Sequence, residues 1–182
     1  PMGVKLYVKE TPAAVTRDWR SISTYKEIMA IPNVTLIHPS ISPEKLMKNC
    51  SLVFTIAGTS GFEAAFYGKP SIVFSDVVYV ELPSVTRVRE IENLESIIKK
   101  SMKTEVDHVD LDKFVNYLEK NVIDFNWFEL EAKVAESFFF GGYTSDVIIS
   151  TLQMKSFLEK NIETLNYVGK EHIKKIQMYK QK

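Results

Sequence analysis

The densest group of chemically capable residues lies between Gly58 and Pro70, in GTSGFEAAFYGKP. Gly58 and Gly61 permit tight backbone geometry, and Thr59 and Ser60 between them offer hydroxyls and N–H donors. Such a turn, leading into the positive N-terminal end of a helix, suits an anion such as phosphate. Glu63 follows in the predicted first helical turn. A carboxylate there can accept hydrogen bonds from a diol such as a ribose, or it can simply complement the helix dipole. Helix rules alone leave both readings open.

The flanking pattern predicts the scaffold that positions this turn. LVFTIA, Leu52 to Ala57, is a continuous apolar strand of the kind buried on both faces, and SIVFS, Ser71 to Ser75, is another beyond the turn Gly68-Lys69-Pro70. Upstream, GVKLYVKE (Gly3 to Glu10) reads as a strand ending at Thr11-Pro12, and VTLIH (Val34 to His38) as a short strand. Between them Trp19, Ile22, Tyr25, Ile28 and Met29 recur at helical spacing from about Arg17 to Met29, and Pro32-Asn33 ends the run. Ser42-Pro43-Glu44 opens a further helix with serine as cap and proline at its first position. Strand and helix alternate without hairpin signals. The predicted fold is therefore α/β, a Rossmann-like, doubly wound parallel sheet.

Beyond about Arg87 the pattern turns helical. Asn93 to Met102, Leu111 to Val122, Phe128 to Phe140 and Ser145 to Tyr167 read as helices, Gly141-Gly142 as the clearest break, and no further strand is indicated. The lysine-rich stretch Lys170 to Lys182 reads as a solvated helix end or frayed tail. The domain division is residues 1–90, the Rossmann-like part, and 91–182, a helical extension packing on or beside it. A doubly wound domain ordinarily begins with a strand and helix that do not precede Gly3. The alternatives are a small variant fold or a fragment, and Pro1-Met2, reading as an introduced junction, favours the fragment.

In an open parallel sheet, ligands bind outside the carboxyl ends of the strands. Three segments fall there: Lys9 to Pro12, His38 to Ser42, and Ala57 to Glu63. Composition excludes some partners. The 23 Lys and Arg balance 23 Asp and Glu, so no overall field attracts nucleic acid or anionic lipid. No apolar run approaches the ~20 residues that span a bilayer, and no secretion signal opens the chain. The chain reads as cytoplasmic, compatible with peripheral association at the inner face of a membrane. Cys50, the single cysteine, reads as a plain buried thiol. A phosphate-binding Gly-x-x-x-x-Gly-Lys-Ser/Thr loop, a paired-cysteine metal pattern and a Gly-x-Ser-x-Gly nucleophile elbow are all missing, which argues against kinase, zinc-site and hydrolase chemistry. No metal or cofactor is expected.

The spacing of Glu63, Gly68 and Pro70 in EAAFYGKP resembles the glutamate-led signature of the C-terminal, donor-binding domain of GT-B glycosyltransferases. VKETP, GTSGFEA and YGKP together are more similar still to capsule and surface polysaccharide biosynthesis proteins, over about Val4 to Val85. The resemblance implies a nucleotide-sugar site in which Thr59 and Ser60 contact phosphate within the turn Gly58 to Gly61, Glu63 holds ribose, and His38 lies near the base or sugar. Lys9 is a candidate phosphate partner, although strand-end lysines are commonly solvated. His108 and His172 fall in helical, site-distant segments.

The match departs at Thr11, which stands before Pro12 where the family's first motif has histidine. Threonine can donate a hydrogen bond but cannot carry positive charge to a phosphate, which counts against a cytidine-monophosphate sugar as donor. As a GT-B donor half, the chain is expected to bind nucleotide sugar and to need the missing N-terminal domain for turnover. The alternatives are a non-catalytic module in polysaccharide assembly or export, and a nucleotide-sugar epimerase relative. Aromatic groups at Phe125, Trp127 and Phe128 and at Phe138 to Phe140 read as helix packing first and as a docking surface second. Dimerisation through the apolar surface left by a missing domain is a further expectation.

Overall fold

A computed structural model describes residues 3–11, 20–139 and 147–180. Its contacts divide the chain into two units, residues 1–10 with 26–121, and residues 11–25 with 122–182. The first unit carries all five strands among the described residues: β1 (Leu6–Lys9), β2 (Val34–Ile37), β3 (Val53–Thr55), β4 (Ser71–Val73) and β5 (Val85–Arg87). Every pairing is parallel, as the alternation predicts, and the strands form two ladders, β1-β2 and β3-β4-β5. The chain is thus an α/β protein, Rossmann-like in its parallel strands and followed by a helical region.

Ser71, Ile72 and Val73 of the central strand β4 are at most 1% exposed. In a strand paired on both sides, successive side chains alternate between two covered faces. Ser71 Oγ donates to the Gly61 carbonyl at 2.8 Å on one face. On the other, Thr86, the register partner of Ile72, meets Ser101 at 3.3 Å. The expectation of a doubly buried strand at Leu52 to Ala57 is corrected: β3 edges its ladder, Phe54 is partly exposed and Ile56 lies beyond the strand, largely exposed. β5 was not anticipated, because three residues with an arginine at the end carry too little period to read.

Helix α1 (Ile22–Ala30) buries none of its residues, and the expected Trp19 of its face lies outside the described residues. Helix α2 (Pro43–Asn49) starts on proline as expected, but Ser42 at its N-cap makes no side-chain capping bond. Helix α3 (Ser60–Phe66) ends where Gly68, at φ +67°, takes the left-handed conformation. There Lys69 N–H reaches Ala64 O and Gly68 N–H reaches Ala65 O, each at 3.0 Å, the paired closure that favours glycine after a helix. Helix α4 (Leu94–Ser101) follows, and helix α5 (His108–Asn121) contributes Leu111 and Phe114 to the core around Ala65, Val73, Tyr79, Leu82 and Val85. Cys50 is half-buried rather than fully buried, its thiol pushed up mainly by burial.

The second unit holds α6 (Trp127–Phe138), α7 (Thr151–Lys160) and α8 (Ile162–Lys180). The single helix expected over Ser145 to Tyr167 is two, parted at Asn161, and α7 opens on a reciprocal capping box between Ser150 and Gln153. Lysines 170, 174, 175 and 180 sit on regular helix that buries none of its residues, so of the two expectations for this stretch it is the solvated helix end, helical to Lys180. Phe138 meets Phe157 at 5.1 Å and both are buried, as helix packing predicts, whereas Trp127, edge-on to Phe125 at 4.9 Å, and Phe128 stay exposed, which corrects the packing expectation for those two rings. Phe140 and Gly141-Gly142 lie outside the described residues.

Candidate functional site

Chain direction puts the carboxyl ends of β3, β4 and β5 on one edge, and the turn Gly58–Gly61 rises from that edge. Two residues the sequence reading missed hold it there. Thr55, the last residue of β3, accepts the Gly58 N–H on its hydroxyl at 3.0 Å. Tyr79, in the short 3-10 turn Val78–Glu81 after β4, donates its hydroxyl to the Gly58 carbonyl at 2.5 Å.

This clamp explains the glycines by close approach, since neither has a positive φ. A Cβ on Gly58 would lie 2.8 Å from Thr55 Oγ1. One on Gly61 would lie 2.8 Å from Tyr79 Oη and 3.1 Å from Thr55 Cγ2. The signal for Thr55 was visible, as the one polar residue inside an apolar strand. Tyr79 sits in VVYVEL, which has no motif to mark it.

The turn consumes most of its own donors. Gly61 N–H bonds Gly58 O at 3.3 Å, and the N–H groups of Phe62 and Glu63 bond Thr59 O at 2.9 and 2.8 Å. Among the described residues, the amides left without a hydrogen-bonding acceptor are those of Thr59 and Ser60. The turn thus leaves fewer open donors than a bare glycine-rich turn implies, those of these two residues.

Glu63 projects from the first turn of α3 into solvent, and Thr59 donates its hydroxyl to Glu63 Oε1 at 2.6 Å. This contact fixes the carboxylate over the turn while its other lone pairs remain able to accept from a ligand. Beneath it, burial first and the Glu63 charge second push the Tyr79 phenol up from its ordinary value.

The other predicted residues stand apart from this cluster. Lys9 ends β1 beside Ile37 of β2, and its ammonium donates to the Glu10 carbonyl at 3.4 Å. His38 follows β2, exposed. Its Nδ1 accepts the Ser40 N–H at 3.2 Å and lies 2.8 Å from Ser40 Oγ, which leaves the proton of a neutral ring on Nε2, toward solvent. Among the described residues no hydrogen bond or ion pair joins Lys9 or His38 to the turn. Thr11 belongs to the other unit, and Pro12 lies outside the described residues.

Two features of the same edge were not foreseen. Arg87, the last residue of β5, forms an ion pair with Asp76 in the loop after β4. An open hollow borders that loop, walled by Asp76, Glu81, Phe114 and Tyr117, and it contains none of the predicted residues. Among the described residues no three His, Cys, Asp or Glu side chains are grouped to hold a metal ion, and no helix is long and apolar enough to cross a membrane.

Fold and site together define a Rossmann-like α/β protein with a clamped glycine turn at the carboxyl edge of its parallel strands. The chain belongs to the family of capsule polysaccharide biosynthesis proteins, whose model matches residues 1–121. No curated protein and no solved structure matches it. The family match runs past the Val4 to Val85 stretch of the motifs and stops at Asn121, where α5 and the first unit also end. A role in capsule polysaccharide biosynthesis follows from the membership.

Proposed function

We propose that the chain is the donor-binding part of a GT-B-type glycosyltransferase that uses a nucleotide-activated sugar to build capsule polysaccharide. The observation that carries this reading is the Thr59 to Glu63 contact at 2.6 Å, at the carboxyl edge where α/β folds bind ligands. It ties an exposed carboxylate to a turn in which the Thr59 and Ser60 amides lack acceptors among the described residues. Phosphate meets the Thr59 and Ser60 amides and hydroxyls, and the ribose diol meets Glu63. Lys9 and His38 reach the donor only if the ligand or a partner domain bridges to the β1-β2 ladder. Acceptor binding and any general base come from an N-terminal GT-B half, so this chain alone binds without turnover.

A second reading, a non-catalytic module in polysaccharide assembly or export, is favoured by Thr11, which cannot supply the positive charge of a histidine at that position. Calorimetric titration with CMP-, UDP- and GDP-sugars separates the two. Binding of one class in the micromolar to millimolar range supports the donor site, and silence toward all three supports the module.

A further inference from the structure

We infer that, independently of the donor site, this chain pairs with a second copy of itself through its second unit, helix α8 of one copy lying on helix α6 of the other and the reverse. Both helices lie beyond Asn121, where the match to the capsule polysaccharide biosynthesis family stops.

Each helix carries an apolar stripe that its own chain leaves open. On α8, Ile162, Gly169, Ile173 and Ile176 follow at intervals of seven, four and three residues, which aligns them along one side of the helix. The three isoleucines are each more than half exposed. On α6, Phe128, Ala132 and Ala135 align in the same way, and Phe128 is 83% exposed. The two helices are joined at Tyr167, whose hydroxyl donates to the Asp124 carbonyl at 3.0 Å and whose ring lies 6.5 Å from that of Phe125, just ahead of α6. Beyond Tyr167, α8 runs on to Lys180 for about 20 Å, close to the length of α6, about 18 Å. Two open stripes on helices of matching reach therefore lie in one unit without covering each other.

The borders of the stripes name the partner. Glu131 flanks the α6 stripe on one side and Glu129 and Glu136 on the other, against the single Lys133. Along α8 after Gly169, Lys170, Lys174, Lys175 and Lys180 stand against the single Glu171. Glu129 is tied to Lys133, and Lys174 to Glu171, within their own helices, exposed pairs of little worth. Glu131, Glu136, Lys170 and Lys180 enter no ion pair among the described residues. Two α8 helices side by side would crowd lysine on lysine, and two α6 helices glutamate on glutamate. Setting α6 against α8 instead puts acid opposite base around a shared apolar seam. Exchange in both directions closes the surface about a two-fold axis. An anionic lipid surface would attract α8 but repel the glutamates around Phe128, leaving that half of the apolar surface bare.

Sedimentation velocity of the full chain, from low to high micromolar concentration and at low and high salt, reads the pairing directly. Wild type is expected to dimerise, and salt to weaken the dimer by screening the flanking charges. Glu131→Lys with Glu136→Lys reverses α6, and Lys170→Glu with Lys174→Glu reverses α8. Each doubly changed chain is expected to dimerise about tenfold more weakly or worse, and an equimolar mixture of the two to regain the dimer, because each then offers the charges the other requires. All four positions are exposed, so the monomers should keep their fold, which circular dichroism checks. Should either chain fail to fold, Ile173→Ser with Ile176→Ser, expected to dissociate the dimer, decides together with the salt series. A wild type that stays monomeric throughout, whether or not it binds phosphatidylglycerol vesicles, overturns the inference. So does a dimer indifferent to salt, one that survives reversal of α6 or α8 alone, or a mixture that stays monomeric.

Discussion

Tyr79 donates its hydroxyl to the Gly58 carbonyl at 2.5 Å across twenty-one positions of sequence, and its ring occupies the space a Cβ at Gly61 would need. One side chain thus braces the turn from below and enforces glycine at position 61, while Thr55 Oγ1, 2.8 Å from where a Cβ would lie, enforces it at position 58. Phe62 stacks on the same ring at 5.9 Å and meets Phe114 edge-on at 5.6 Å, which ties the turn into the aromatic core.

Gly61→Ala must therefore displace Tyr79 or Thr55. Overpacking of this kind costs about 1–3 kcal/mol. Urea unfolding should show that loss, and pairing the change with Tyr79→Phe, which removes the nearest clashing atom, should cost less than the sum of the two single changes. Strict additivity would mean that the turn relaxes without moving Tyr79.

Tyr79 also predicts a pH dependence. Burial, with the Glu63 charge, raises its folded pKa above the ordinary 10.0, so the folded state holds this proton more tightly than the unfolded chain. The associated stability is fully present below the unfolded value and is lost as pH rises through the folded one. At neutral pH Tyr79→Phe should cost about 0.5–1.5 kcal/mol, the worth of one hydrogen bond. The gap between wild type and variant should narrow as the solution is taken above pH 10. A gap independent of pH would contradict this account.

Leu111 and Phe114 are 4% and 9% exposed, inside the core shared with Val73 and Tyr79. Truncation after Asn121 should leave a cooperatively melting first unit. Truncation after Glu90 removes both side chains, each worth about 2–5 kcal/mol on deletion to alanine, and should give no cooperative transition. A sharp melt from residues 1–90 alone would show that α5 is dispensable.

Much of the fold was legible because its signals are local. The apolar runs of β3 and β4, Pro43 at the head of α2 and Gly68 at the end of α3 each act through their own backbone geometry. The site was legible where a motif concentrated it, from Gly58 to Glu63. It was illegible where positions distant in sequence converge: Tyr79 reaches back to Gly58, Ser71 bonds Gly61, and Arg87 stands in register with Thr55 only because β4 lies between them. Asn161 split an expected helix through a break that neither glycine nor proline marks, whereas the lysines of α8 are the solvated helix end that a charged run suggests.

The central claim is that Glu63 grips the ribose of a nucleotide. The direct measurement is the affinity of wild type and Glu63→Ala for the best-binding nucleotide and for its 2′,3′-dideoxy counterpart. Wild type should lose about 1–3 kcal/mol when the diol is removed, and Glu63→Ala should bind both ligands equally weakly. Because the Thr59 to Glu63 contact is exposed, the variant should keep its stability within about 0.5 kcal/mol. Wild type indifferent to the missing hydroxyls, or Glu63→Ala retaining full affinity, would contradict the account.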